Sequence, residues 1–207
     1  MAPKAKAADN GEIVIPKPQI GILTIGITGT SPLIMHAWSE KARKMILDKQ
    51  MGLPVPKKQP KNPEEDFNGA RYVSGEGWDG IPATAFKAAM VGACRMVDSL
   101  NMTQAKRMFF VEADDPATGL VRIYGEPEMR EDMVRLETGV ADIRFRPQYW
   151  PWRCNVTVRF LSSIIRTEQV INLISLAGLT EGVGEWRPSA PKSATGTYGL
   201  WEVEGAA

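Results

Sequence analysis

The chain has 207 residues, 43% of them apolar, and a formal net charge of +1. A chain of that length suits one large domain, or a domain with a sizeable insertion, and can bury roughly 70% of its unfolded surface without staples. The near-neutral balance neither demands nor excludes a polyanionic partner. Two cysteines make no disulfide framework, and no apolar run approaches the ~18 residues of a membrane span, so a reducing compartment and no membrane contact are expected.

Residues 1–12 (MAPKAKAADNGE) lack the apolar core of a secretion signal and read as a disordered tail. A weak alternation at Ile13–Ile15 stops at Pro16 and Pro18. Ile20–Thr28 reads as a closely approached strand with interleaved glycines. From Pro32 to Gln50, the residues Met35, Trp38, Ala42, Met45 and Ile46 recur every three or four positions. That spacing predicts one amphipathic helix, stopped by Gly52 and Pro54.

Residues 52–80 have almost no periodicity and are rich in Pro, Gly and Lys, which predicts an inserted basic loop. Its Phe67, Tyr72 and Trp78 point to a segment that orders on a partner. A second helix is expected from Pro82, in its first turn, through Phe86, Met90, Ala93, Cys94 and Val97 to Leu100. Arg107–Glu112 and Leu120–Tyr124 are expected to form a hairpin around the Asp114–Gly119 turn.

Met133–Leu136, Asp142–Tyr149 and Arg153–Ile165 read as strands. In the last of these, Cys154, Val156, Val158 and Phe160 share one face. Thr167–Ala177 reads as a helix with Thr167 as N-cap and Gly178 as stop. A glycine-rich irregular run, Gly182–Gly199, precedes a closing strand in Tyr198–Val203. Without the insertions the order is β-α-β-β-α-β. The expected fold is therefore α+β, a ferredoxin-like (RRM-like, split βαβ) antiparallel sheet with two helices and inserted loops, in one domain over 13–204.

The chemistry-bearing residues point to binding, not catalysis. Nucleophilic catalysis needs an oriented base, yet His36 is the single histidine and no serine sits in a Gly-x-Ser-x-Gly setting. His36 reads as a helix-start residue. One histidine and two scattered cysteines make no zinc cage, so no catalytic residue, metal or cofactor is expected. A competing reading is a hydrolase using Asp114, Asp115 or Glu185 with a divalent cation. Gly75-Glu76-Gly77-Trp78 lacks the lysine of a phosphate-binding loop.

The distinctive stretch is Arg144-Phe145-Arg146-Pro147-Gln148-Tyr149-Trp150-Pro151-Trp152-Arg153. Arginine forks onto phosphate, and aromatic rings stack on bases. Arg144, Arg146, Arg153, Lys41, Lys44, Lys57, Lys58 and Lys87 are expected to contact phosphates. Tyr149, Trp150, Trp152 and Trp186 are expected to stack, and Arg187 and Lys192 to add charge to the late glycine-rich run. The competing reading pairs the arginines with the Glu126–Asp132 acidic cluster and buries the tryptophans in a core or interface.

Two segments carry a family resemblance. Gly80-Ile81-Pro82-Ala83-Thr84-Ala85-Phe86-Lys87, leading into a helix, resembles an element of the repeat-associated RAMP proteins, which include the Cas7-like backbone subunits of CRISPR effector complexes. Gly182-Val183-Gly184-Glu185 and Gly196-Thr197-Tyr198-Gly199 resemble their late glycine-rich loop. The resemblance implies a ferredoxin-like core whose copies line up along a single strand of RNA or DNA as a homo-oligomer or filament. The basic Pro-rich insertion and the many methionines also resemble small proteins of phage and prophage genomes, which implies the cytoplasm of a bacterial or phage-infected cell. An assembly or inhibitor protein that binds other proteins through its Trp/Arg surface is the alternative.

Overall fold

The computed structural model describes residues 13, 15–54, 60–135, 139–191 and 194–205. The expected tail over 1–12 lies outside them.

The central sheet has the order β4-β8-β1-β9, all neighbours antiparallel. Its strands are β1 (Ile20–Gly29), β4 (Phe109–Glu112), β8 (Arg153–Leu161) and β9 (Trp201–Val203). Two helices cross over on one face, α3 (Ala83–Ala93) and α5 (Thr167–Thr180). In chain order these six elements run β-α-β-β-α-β with the split βαβ strand arrangement, so the expected α+β, ferredoxin-like class is observed.

Period-two patterning explains the sheet. Cys154, Val156, Val158 and Phe160 are buried, while Arg153, Asn155 and Arg159 face outward. Phe86, Met90 and Ala93 of α3 and Val170, Leu173, Ile174 and Ala177 of α5 close the core over the inner face. The Phe86 ring meets Trp201 edge-on at 5.6 Å. Cys94 and Cys154 are both buried free thiols, and burial raises the pKa of each.

Two insertions are built onto this core. Between β1 and α3 lie β2 (Leu33–Ile34), α1 (Glu40–Gln50), α2 (Pro63–Gly69) and β3 (Gly80–Pro82). Between β4 and β8 lie β5 (Leu120–Arg122), β6 (Pro127–Arg135) and β7 (Ala141–Tyr149). The insertions meet each other: β2 pairs with β7, which pairs with β6, and β3 pairs with β5.

Several expected elements are redrawn by these long-range pairings. Pro32–Gln50 is not one helix. Leu33 and Ile34 are fully buried against Tyr149 and Gln148 of β7, and the helix starts only after Ser39, whose Oγ accepts from the Ala42 N–H. Residues 52–80 contain α2, capped by Asn62, whose side chain accepts from the Glu64 and Glu65 N–H groups. Pro63 stands at its first position, and the carboxylates of Glu64, Glu65 and Asp66 suit its positive end.

Arg107 and Met108 belong to a further helix, α4 (Met102–Met108), capped by Asn101. The expected hairpin does not form as a ladder: β4 pairs with β8 and β5 with β3. The short strand expected at Met133 is part of the longer β6. Arg166, not Thr167, caps α5; its N–H donates to the Gln169 side chain.

Gly178 is not a helix stop. It lies inside α5, where a Cβ would come 2.2 Å from the Trp201 carbonyl oxygen, so this glycine lets β9 approach the helix. The stop is Gly182, at φ +66°. Gly178→Ala is expected to lower unfolding free energy by ~1–3 kcal/mol in urea titration, although alanine is worth about 1 kcal/mol in helix propensity.

Candidate nucleic-acid interface

The inserted elements enclose an open cleft of about 1270 Å³ between α1, α2 and β7. Lys41, Arg43, Lys61, Arg71 and Arg144 line it, against Glu40, Glu65, Asp66 and Asp142. Trp38, 62% exposed, stands on its wall. Most of these cations already have carboxylate partners: Lys41 the exposed Glu65 at 3.2 Å, Lys61 and Arg144 the half-buried Asp142 at 2.8 and 3.9 Å, and Arg71 the buried Asp79 through a two-bond fork at 2.9 and 3.0 Å. Lys61 also donates to the Ile143 carbonyl. The exposed Lys41–Glu65 pair contributes about 0–1 kcal/mol, so its cation can exchange partners at little cost.

At the mouth of the cleft, Arg144 Nη1 lies 3.4 Å from His36 Nδ1. His36 is reachable by solvent yet crowded by protein. The resulting desolvation lowers its pKa, the nearby Glu185 opposes that, and Arg144 and Arg146 reinforce it. Tyr72 is raised by burial and by Glu185.

A second, smaller cleft of about 360 Å³ opens from the same residues, since His36 and Tyr72 line both. One side is the start of α3 with Ile81, Pro82, Ala85 and Ala89. The other is the late glycine-rich loop with Gly184, Glu185, Arg187 and Ser189. This loop is pinned by bonds from Glu185 N–H to Ile34 O (2.8 Å) and from Val183 N–H to Gly199 O (3.0 Å). Arg187 donates to Gly184 O (2.8 Å) and Ser189 Oγ (3.0 Å), which braces the loop from inside.

Of the residues singled out in the sequence, Lys41, Arg144, Arg146 and Arg187 fall on these two clefts, Arg146 with only 1% of its surface exposed. Lys44 is exposed on α1 but does not line either. Lys87 lies apart, its ammonium 3.9 Å from the Phe110 ring centre, and burial lowers its pKa. Arg153 faces outward from β8, over Tyr124. Trp150 is 48% exposed in the turn between β7 and β8. Lys57, Lys58 and Lys192 lie outside the described residues.

Three of the singled-out residues are corrected. Arg146 is 1% exposed and donates to Asp132 Oδ2 at 2.7 and 3.2 Å and to Glu185 Oε2 at 3.3 Å, so it is an internal counter-ion. Tyr149 is fully buried, and Trp152, 1% exposed, donates its Nε1–H to Ser31 O. These two rings belong to the core. Trp186 is also engaged: Arg146 lies 4.4 Å from its ring centre, Arg130 5.4 Å and the Tyr198 ring 5.9 Å. The Arg146–Asp132 pair realises the competing expectation that arginine meets the acidic 126–132 cluster.

Trp38, Arg43 and Arg71 were not singled out in the sequence as site residues, and Tyr72 only as part of the inserted loop. Trp38 fell in a three-four stripe that reads as a buried helix face, whereas its backbone precedes the helix. Asp115 is tied into its turn by Gly75 N–H, Ala117 N–H and the Thr118 hydroxyl, and the Thr118 bond is the first cause of its lowered pKa. Asp114 accepts from Arg122 N–H. Among the described residues no three His, Cys, Asp or Glu side chains are grouped to hold a metal, and no helix is long and apolar enough to cross a membrane.

No family model matches the chain, and no curated protein matches it. Among solved structures it is similar to a chain in the cryo-EM structure of the Type III-B Cmr-beta bound to cognate target RNA, with a TM-score of 0.47 and 10% identity. The match covers 89% of this chain and 58% of that one, so this chain spans little more than half its neighbour's length.

Proposed function

We propose that the protein is a non-catalytic, single-stranded nucleic-acid-binding protein whose phosphate track is the cleft between α1, α2 and β7. The observation that carries this reading is the gathering of Lys41, Arg43, Lys61, Arg71 and Arg144 around one open cleft with the exposed Trp38 on its wall. Cations that track a backbone, beside a ring on which a base stacks, are the chemistry of sequence-tolerant single-strand binding. The resemblance of Gly80–Lys87 and Gly182–Gly199 to RAMP proteins supports the same reading.

Binding by charge neutralisation falls linearly in log affinity against log salt. Fluorescence anisotropy with labelled single-stranded DNA and RNA is expected to show that slope. The double variant Lys61→Ala, Arg144→Ala is expected to flatten it by about 1.4, from ~0.7 per phosphate contact on a single strand, with similar losses for all sequences. Absence of binding at low salt, or binding insensitive to salt, would sink the reading.

A second observation favours self-association of copies along the strand. Helix α1 contributes no buried residue and shows Met45, Ile46 and Leu47 to solvent, with Met51 beyond its end. Apolar side chains gathered on one exposed element mark a contact surface. Light scattering with and without a 30-nucleotide strand distinguishes a monomer from a ligand-ordered assembly. A discrete oligomer free of nucleic acid would favour the protein-assembly alternative.

A further inference from the structure

The smaller cleft differs in kind from the basic one. One wall is apolar, built from Ile81, Pro82, Ala85 and Ala89, with Glu185, Arg187 and Ser189 on the facing loop. Its volume of about 360 Å³ falls in the range of small-molecule sites and accommodates a purine base with its sugar. Because His36 and Tyr72 line both clefts, a base turned into the small one leaves its phosphates in the large one.

We propose that this cleft is a guanine-selective base slot, taking one base of the strand whose backbone lies along the basic cleft. The inference rests on the nucleic-acid reading above and adds sequence selectivity to it.

Glu185 carries the selectivity. Its backbone N–H is bonded to Ile34 O, which anchors the residue, and its Oε2 accepts from buried Arg146 at 3.3 Å, which orients the carboxylate. An ionised carboxylate has about four lone-pair sites, and Arg146 occupies one. Guanine is the base whose pairing edge places two donors side by side, N1–H and N2–H, and these match a carboxylate as a fork. Adenine and cytosine set a ring-nitrogen acceptor beside their amino group, and uracil and thymine flank their N–H with carbonyls. Each of those would press an acceptor against the carboxylate, leaving a desolvated polar group unpaired. The apolar wall receives the flat face of the ring.

The test compares anisotropy titrations of labelled 12-nucleotide strands, all cytosine except for one central position carrying G, A, C or T. The guanine strand is expected to bind about tenfold or more tightly, the scale of one bidentate base contact. Glu185→Gln keeps an oxygen for Arg146. It is expected to erase the guanine preference while leaving the salt slope unchanged. Equal affinity for all four strands, or a preference that survives Glu185→Gln, overturns the slot but leaves the basic cleft standing. If no strand binds, the nucleic-acid reading and the slot fall together.

Discussion

Arg146→Ala is expected to cost about 3 kcal/mol of unfolding free energy, although the residue lies two positions from Arg144, whose loss should cost under about 1 kcal/mol. Removing one partner of a buried ion pair leaves an uncompensated charge, worth about 3–5 kcal/mol. Here the stranded group is Asp132, whose side chain is 5% exposed. Arg130 still donates to Asp132 Oδ1 at 2.7 Å, which places the cost at the lower end of that range. The Trp186 ring also loses the guanidinium stacked against it. Urea titration of Arg146→Ala, Arg146→Met and Arg144→Ala checks this. Methionine keeps the stem but not the charge, so it should rescue little. An Arg146→Ala protein as stable as the parent, but weakened in strand binding, would return Arg146 to the phosphate track.

The second large effect is expected at Trp152. Truncating a buried tryptophan to alanine costs about 3–5 kcal/mol through lost transfer energy and the cavity left behind. This indole is 1% exposed, donates to Ser31 O at 2.8 Å, and lies where a Cβ on Gly29 would be 2.1 Å from its Nε1. Gly29 and Trp152 are thus a fitted pair, and little can collapse into the space. Trp150→Ala removes a half-exposed ring and should change stability by about 0.5–1 kcal/mol. Thermal and urea unfolding of the two alanine variants should separate them clearly. Equal losses would contradict the burial that distinguishes them.

These two contrasts show where sequence reading stops. Arg144 and Arg146 have the same side chain and the same parity on β7, and Trp150 and Trp152 flank one proline. Composition and alternation assign each pair one role. The structure divides the arginines because the late loop, some 40 residues downstream, closes over Arg146 with Glu185 and Trp186 while Arg144 stays beside His36, and it divides the tryptophans because Trp152 packs on Gly29 and Ser31. A contact of that separation leaves no local trace.

The elements of the ferredoxin-like core were legible because hydrophobic period is a local property. The alternation in β8, the stripe Phe86–Met90–Ala93 and the apolar face of α5 each report which side must leave water. The redrawn elements are those whose conformation a distant partner decides. Leu33 and Ile34 became a strand because β7 offered them a ladder, and the Leu120–Arg122 strand found β3 in place of β4. The sequence by itself determined the α+β class, the order of the core strands and helices, and a supply of arginine, lysine and aromatic residues. Only the tertiary structure decided which of those residues face solvent. Burial, ion pairing and the meeting of the two insertions depend on contacts far apart in the chain, and these set Arg146, Tyr149 and Trp152 inside and Trp38, Lys61 and Arg144 around the cleft.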